Sequence, residues 1–273
     1  MKEQKSLNNN SLDAFLGGKI FLYQPIDGYR ANTDSILLAS AVEARAGQSI
    51  LELGCGVGTV VFSLLARVPE LKVVGVELQK RYAELAKINA EYNNFKVTIL
   101  ECDLISIPSG FKNKKYDFVI FNPPFYDAGG SMKLARDDKD IAKREQKVSL
   151  DDWLDVALKR CSMNGHIVLI HQVERLGQIL KRLDGNVGDI KILPISSFKG
   201  KNANRVIVKG KKGSLAPCNY YHRFLCMRFV MGINRERVIH MRLKVFYEMA
   251  NLSIGKNKIS DKCYILLCNE RMK

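Results

Sequence analysis

From residue 49 onward, short apolar runs and amphipathic stretches follow one another in regular alternation. Runs at 49–53, 72–76, 97–100, 117–121, 166–171, 190–195 and 204–208 are short and rich in branched and aromatic side chains, as buried strands are. Between them, apolar residues recur at helical spacing near 59–67, 79–92, 150–161 and 175–183. This alternation predicts an α/β fold: a doubly wound, seven-stranded, mostly parallel sheet covered on both faces. A charged stretch at 129–147 interrupts the pattern and reads as a loop.

Ahead of the sheet, residues 1–12 are polar and predicted to fray. Residues 13–29 carry short apolar groups broken by Gly17-Gly18, Pro25 and Gly28, which predicts a hairpin or an irregular arm. Thr33 is the predicted N-cap of a helix through Ile36, Leu37, Leu38, Ala41 and Val42, with Asp34 near its positive end. After about residue 213 the alternation stops. The pattern therefore divides the chain into an N-terminal arm and helix (1–45), a sheet domain (46–213) and a C-terminal extension (214–273).

The strand ends carry the chemistry. Asn122-Pro123-Pro124-Phe125 follows the run 116–121, so it is expected at a strand's carboxyl end, the edge where open α/β sheets bind ligands. Two successive prolines remove two backbone donors and fix φ, giving a stiff loop with outward carbonyls. An amide, bare carbonyls and an aromatic face together suit a planar ring bearing an NH2 group. Glu52-Leu53-Gly54-Cys55-Gly56-Val57-Gly58-Thr59 lies between a strand and a helix, and its alternate glycines let backbone approach a ligand closely. Thr59 stands where a dinucleotide fingerprint needs its third glycine, so no pyrophosphate site is indicated. Glu77 ends the next strand, placed to accept from ribose hydroxyls, and Asp103 closes the third, placed to accept from an adenine amine. Either acid alone reads as an exposed loop carboxylate; together with the glycine turn they indicate a nucleoside-containing cofactor.

Composition narrows the partner. The 273 residues carry a formal net charge of +15, which favours a polyanion, nucleic acid first; a merely basic surface is the alternative. The extension from Ser214 contributes 11 Lys/Arg against 4 Asp/Glu, suiting either an RNA-binding extension or a solvated tail. In the 129–147 loop, Lys133, Arg136, Lys139, Lys143, Arg144 and Lys147 mix with Asp137, Asp138, Asp140 and Glu145, as in a lid over substrate or a solvated loop. Seven cysteines without a CxxC pair point to a reducing compartment, and the four histidines lack zinc spacing, so no metal is expected. No signal peptide and no membrane span are expected, which makes a cytoplasmic location the simplest.

With these residues in hand, the chain resembles class I S-adenosylmethionine-dependent methyltransferases of the N6-adenine type. More closely it resembles the bacterial tRNA1(Val) adenine N6-methyltransferase family. The resemblance covers roughly residues 13–216. It takes in Gln24-Pro25, Gly28-Tyr29-Arg30, Asp34-Ser35, the 52–58 turn, Glu77, Asp103, Asn122 to Phe125, Arg144-Glu145, Leu150 to Trp153, Arg205 to Val208 and Lys212-Gly213-Ser214. It implies a Rossmann-like class I fold acting on an adenine beside the anticodon of a tRNA. S-adenosylmethionine would be held by Glu52, Gly54, Gly56, Gly58, Glu77, Asp103 and Asn122. Asn122, Pro123, Pro124 and Phe125 form the expected catalytic set, and Phe125, Arg30, Lys143 and Arg144 are the candidate substrate contacts. Tyr29 is a candidate to flank cofactor or RNA, a packed arm being the alternative. A monomer is expected. Similar motifs occur in rRNA guanine N2- and protein glutamine N5-methyltransferases, which remain alternatives beside a catalytically silent RNA-binding module. Phe125 stands where many members have tyrosine, and the tail after about Cys218 does not look like the family's usual ending.

Overall fold

The computed structural model describes residues 9–125, 148–196, 201–220 and 225–226. Strands β1 (Asn10–Phe15) and β2 (Ile20–Pro25) form an antiparallel hairpin, followed by α1 (Thr33–Ala41). The sheet domain then runs β3 (Ser49–Leu53), α2 (Thr59–Arg67), β4 (Lys72–Glu77), α3 (Lys80–Tyr92), β5 (Val97–Glu101), the short α4 (Ser109–Lys112) and β6 (Tyr116–Phe121). It continues with α5 (Leu150–Arg160), β7 (Cys161–Gln172), α6 (Leu176–Leu183), β8 (Val187–Ser196) and β9 (Arg205–Lys212). Two-residue strands β10 (Asn219–Tyr220) and β11 (Leu225–Cys226) both pair in parallel with the outer edge of β8.

The seven long strands, as many as the alternation predicts, lie in the order β8-β9-β7-β6-β3-β4-β5. Only β9 runs antiparallel, inserted between β7 and β8. This is the Rossmann-like sheet of class I methyltransferases. Strand side chains alternate between two layers, and both layers are apolar because helices cover both faces. Leu51, Leu53, Val74, Val76, Val119, Phe121, Ile167 and Leu169 pack with Trp153, Leu154 and Ala157 of α5 and Ile179 and Leu183 of α6. Ile50, Val73, Phe118, Ile120, Val168 and Ile170 pack with α2, with Leu37 and Leu38 of α1, and with Ile20 and Leu22 of β2. The N-terminal segment thus shares the core of the sheet.

Two asparagines explain how the hairpin is held. Asn89 on α3 and Asn93 at its C-cap, one turn apart, meet the open edge of β2 as a strand would. Asn89 Oδ1 accepts from Tyr23 N (2.7 Å) while its Nδ2 donates to Tyr23 O (3.1 Å). Asn93 does the same with Phe21 N (2.9 Å) and Phe21 O (2.7 Å). Amide side chains carry one acceptor and two donors, so each replaces one residue of a missing strand.

Three local expectations change. Asn10 to Leu12 belong to a strand rather than to the frayed end, since pairing with β2 satisfies their backbone, and the hairpin expected from 13 onward starts there. The cap of α1 is Asn32, not Thr33: Asn32 is extended and its side chain accepts from Ser35 N at 3.3 Å. Strand β7 starts at Cys161 instead of 166, directly after α5. Helix α5 itself opens on a capping box, with Ser149 Oγ accepting from Asp152 N (3.2 Å) and Asp152 accepting from Ser149 N (2.8 Å). Among the described residues no helix is long and apolar enough to cross a membrane, and no group of three His, Cys, Asp or Glu could hold a metal ion.

Candidate active site

The carboxyl ends of β3, β4, β5 and β6 share one edge. Leu53 pairs with Val76 on one side and Phe121 on the other, and Glu77 pairs with Glu101. The 54–58 turn, Glu77, Asp103 and Asn122 therefore emerge side by side, gathered by parallel register alone.

The three glycines of the turn all have positive φ, +64° at Gly54, +54° at Gly56 and +91° at Gly58, but they differ in surroundings. A Cβ on Gly54 would lie 2.6 Å from the Trp153 ring, and one on Gly58 would lie 2.1 Å from the Phe62 ring. At Gly56 it would meet only Tyr29, at 3.8 Å. Gly54 and Gly58 thus admit neighbouring rings, whereas Gly56 leaves a bare backbone surface beside Tyr29. Tyr29 is positioned by its own N–H donating to the Tyr82 hydroxyl at 2.8 Å. The Glu77 carboxylate accepts from Gly56 N and from Gln79 N, both at 2.8 Å, and so clamps the turn to the start of α3.

Glu52 is sealed under the turn, 2% exposed, with Oε2 accepting from Val61 N (3.3 Å) at the start of α2. Burial first, and then the like charge of Glu77, push its carboxyl well above the usual range. It supports the turn from beneath. Asp103 is half-buried and caps the 3₁₀ turn Leu104–Ser106, accepting from Ile105 N at 2.9 Å. At the end of β6, Pro123 is buried, Phe125 half-buried and Pro124 exposed. Asn122 Oδ1 is buried without a hydrogen-bond partner among the described residues. An orphaned amide oxygen costs about 1–3 kcal/mol.

Arg30 is tied into the arm. Its guanidinium binds the Asp13 carboxylate, Ser11 Oγ (3.0 Å) and Pro25 O (2.8 Å), which joins the hairpin to the chain leading into α1. Lys143 and Arg144, with the rest of the expected lid, lie outside the described residues, as does most of the 214–273 extension.

Sequence reasoning gave no role to His171 or Arg205 and read Asp34 only as the acid at the positive end of a helix, although all three reach this edge. His171, next to last in β7, lies near Phe125, with ring centroids 5.0 Å apart and planes at 68°. Burial, together with the positive charges of Arg175 and Arg205, pushes its imidazole down to about 4. Gln172 N donates to its Nδ1 at 2.8 Å, as a neutral ring requires. Since the folded value lies below the ordinary 6.5, the unfolded chain binds the extra proton first. Stability linked to His171 is therefore complete above about pH 6.5 and lost as pH falls through about 4, by up to about 3 kcal/mol. A His171→Asn variant should lose less unfolding free energy than wild type between pH 7 and pH 4 in denaturant titrations; parallel losses would contradict this assignment.

Residues 29–139 match the family described as methyltransferase small domain. A tRNA1(Val) (adenine(37)-N6)-methyltransferase of Porphyromonas gingivalis is 31% identical over 155 residues, 54% of this chain and 60% of that protein. The chain thus spans about three fifths of the length of that relative. The enzyme of the same description from Histophilus somni is 28% identical over 182 residues, covering 66% of this chain and 75% of that one. A protein described as a putative N5-glutamine methyltransferase of Methanocaldococcus jannaschii is 32% identical over 106 residues, 39% of this chain and 51% of its own. Among solved structures, a predicted O-methyltransferase of Agrobacterium tumefaciens superposes with a TM-score of 0.58 at 23% identity, covering 77% of this chain and 96% of that one. The Thermus thermophilus 16S rRNA N2 G1207 methyltransferase, solved with AdoMet and guanosine, gives 0.54 at 20% identity, covering 74% and 50%. The resemblance read from the motifs and the Rossmann-like fold are both borne out.

Proposed function

We propose that this chain is an S-adenosylmethionine-dependent N-methyltransferase whose substrate is the exocyclic amine of an adenine in tRNA. The observation that carries the reading is the buried, partnerless Asn122 Oδ1 on the stiff loop beside the glycine turn. The bare surface at Gly56 and the Glu77 carboxylate fit a nucleoside portion, and Asp103 at the next strand end fits its base. When bound, S-adenosylmethionine supplies an electrophilic methyl group.

The chain's own residues do the rest. An exocyclic amine is a poor nucleophile because its lone pair is delocalised into the ring. Asn122 Oδ1 accepts one amine hydrogen and the Pro123 carbonyl accepts the other. Both bonds strengthen as the nitrogen becomes tetrahedral, so they favour the transition state over the bound substrate. No strong base is needed, since positioning alone can supply several kcal/mol. Phe125 offers an aromatic surface to a base that has left its stack, and an unpaired RNA loop lowers the cost of that exit.

The net charge of +15 favours RNA over a protein glutamine as the acceptor, because phosphate neutralisation dominates nucleic-acid affinity. The test is incubation with labelled S-adenosylmethionine and total tRNA, followed by nucleoside mass spectrometry. N6-methyladenine is the expected product. N2-methylguanine as sole product, or label on protein glutamine alone, would overturn the assignment.

Cofactor affinity has an internal reporter. The single tryptophan, Trp153, lies against Gly54 and packs on Phe121 with centroids 6.0 Å apart, so its emission should change on titration with S-adenosylmethionine. Glu77→Ala should raise the dissociation constant read this way by about tenfold or more, the worth of a charged hydrogen bond. An unchanged constant would remove Glu77 from the ribose role.

A further inference from the structure

Strand β9 is the antiparallel member of the sheet, so it begins where its neighbours end. Its first residue, Arg205, pairs with Gln172 of β7 and Ile195 of β8, and this places it at the same edge as Asn122. There it meets two partners from distant parts of the chain. Its Nε donates to Asp34 Oδ2 at 3.1 Å, and the Asp34 side chain is only 7% exposed. Its guanidinium carbon lies 4.5 Å from the centre of the Phe125 ring. One face of Phe125 is therefore already taken, and a target base has at most the other.

We propose that Arg205, anchored by Asp34, is a positioning residue for the reaction. Its planar cation fixes the Phe125 ring, and Pro123-Pro124 transmit that constraint to the Asn122 amide, because proline leaves the linking backbone little freedom. Arginine suits this task where lysine does not: a guanidinium bonds a carboxylate at its edge while stacking on a ring with its face, whereas an ammonium is a point charge. The inference rests on the proposed function, since it concerns the geometry of Asn122 toward an amine.

The decisive experiment is a kinetic double-mutant cycle between Arg205→Lys and Phe125→Leu, using total tRNA and S-adenosylmethionine. Arg205→Lys keeps the charge beside Asp34 and should lower kcat about tenfold or more, misplacement of reacting groups being that costly. Calorimetric affinity for S-adenosylmethionine should stay within about twofold of wild type, as expected for separate sites. In the Phe125→Leu background the lysine change should have little further effect on kcat. Additive losses would overturn the proposal, because Arg205 would then act without Phe125. A rise in KM alone, accompanied by a shallower salt dependence of tRNA binding, would also overturn it by making Arg205 a phosphate contact. Asp34→Asn provides a second route should Arg205→Lys fold poorly, and it should reproduce the loss in kcat with cofactor affinity retained; unaltered kcat in that folded variant would refute the anchoring role. Wild-type protein that binds S-adenosylmethionine but methylates no tRNA would instead overturn the function on which the inference rests.

Discussion

Replacing Asn122 with alanine is expected to lower kcat about a thousandfold, with the dissociation constant for S-adenosylmethionine changed by no more than about threefold. The magnitude follows from what the residue does: a single preorganised hydrogen-bonding group that acts on developing charge is worth about 10²–10³ in rate. Thermal stability should move the other way or not at all. Asn122 Oδ1 is buried and unpartnered among the described residues, so the wild-type fold carries its desolvation cost of about 1–3 kcal/mol, which the substitution removes. A group that serves the fold gives the opposite pair of results. Single-turnover methyl transfer, calorimetry and thermal unfolding on one preparation test all three statements, and near-wild-type turnover would refute the mechanism.

The second large effect separates two glycines that look alike in sequence. Gly58→Ala should destabilise the fold by about 3 kcal/mol, adding the left-handed backbone cost to that of an overpacked core. The Phe62 ring, 2.1 Å from the new methyl, is fully buried and stacked on Phe95 at 5.7 Å, so it has no room to retreat. For a chain of this length the melting temperature should fall by roughly 6–12 °C. Gly56→Ala meets only Tyr29 at 3.8 Å and should cost the fold about 1 kcal/mol. Its methyl group would instead occupy the surface assigned to the cofactor, raising the dissociation constant by about tenfold or more, the equivalent of one lost contact. Equal melting temperatures for the two variants would show that this distinction is wrong.

Strand positions were legible because interior strands of a parallel sheet, covered by helices on both faces, must be apolar on both faces, and 49–53, 72–76 and 117–121 show that plainly. The strand ends were legible for the same reason, since each candidate follows an apolar run directly. What escaped was everything that needs a partner far along the chain. Arg30 reads as a basic residue near the site, yet its charge is met by Asp13, and nothing in their spacing reveals the hairpin that joins them. Asn89 and Asn93 read as ordinary helix residues until β2 lies beside them. Glu52 reads like Glu77, an acid near a strand end. One points beneath the turn and the other clamps it, although both lie on one face of the sheet: Glu52 pairs with Gly75, two residues before Glu77, so Glu77 sits further out along the edge.

By itself, then, the chain's pattern determined the alternating α/β layers, the glycine turn, and the row of acid, amide and aromatic groups along one sheet edge. These depend on local period and on residues adjacent in sequence. Tertiary structure alone decided that Gly56 is the open glycine, that Asn122 Oδ1 lacks a partner, and that Arg205 covers Phe125 while gripping Asp34 from the far end of the sheet domain. Each of those is a statement about space left or filled by a distant segment. The antiparallel insertion of β9 carries Arg205 back to an edge that its place in the sequence does not disclose.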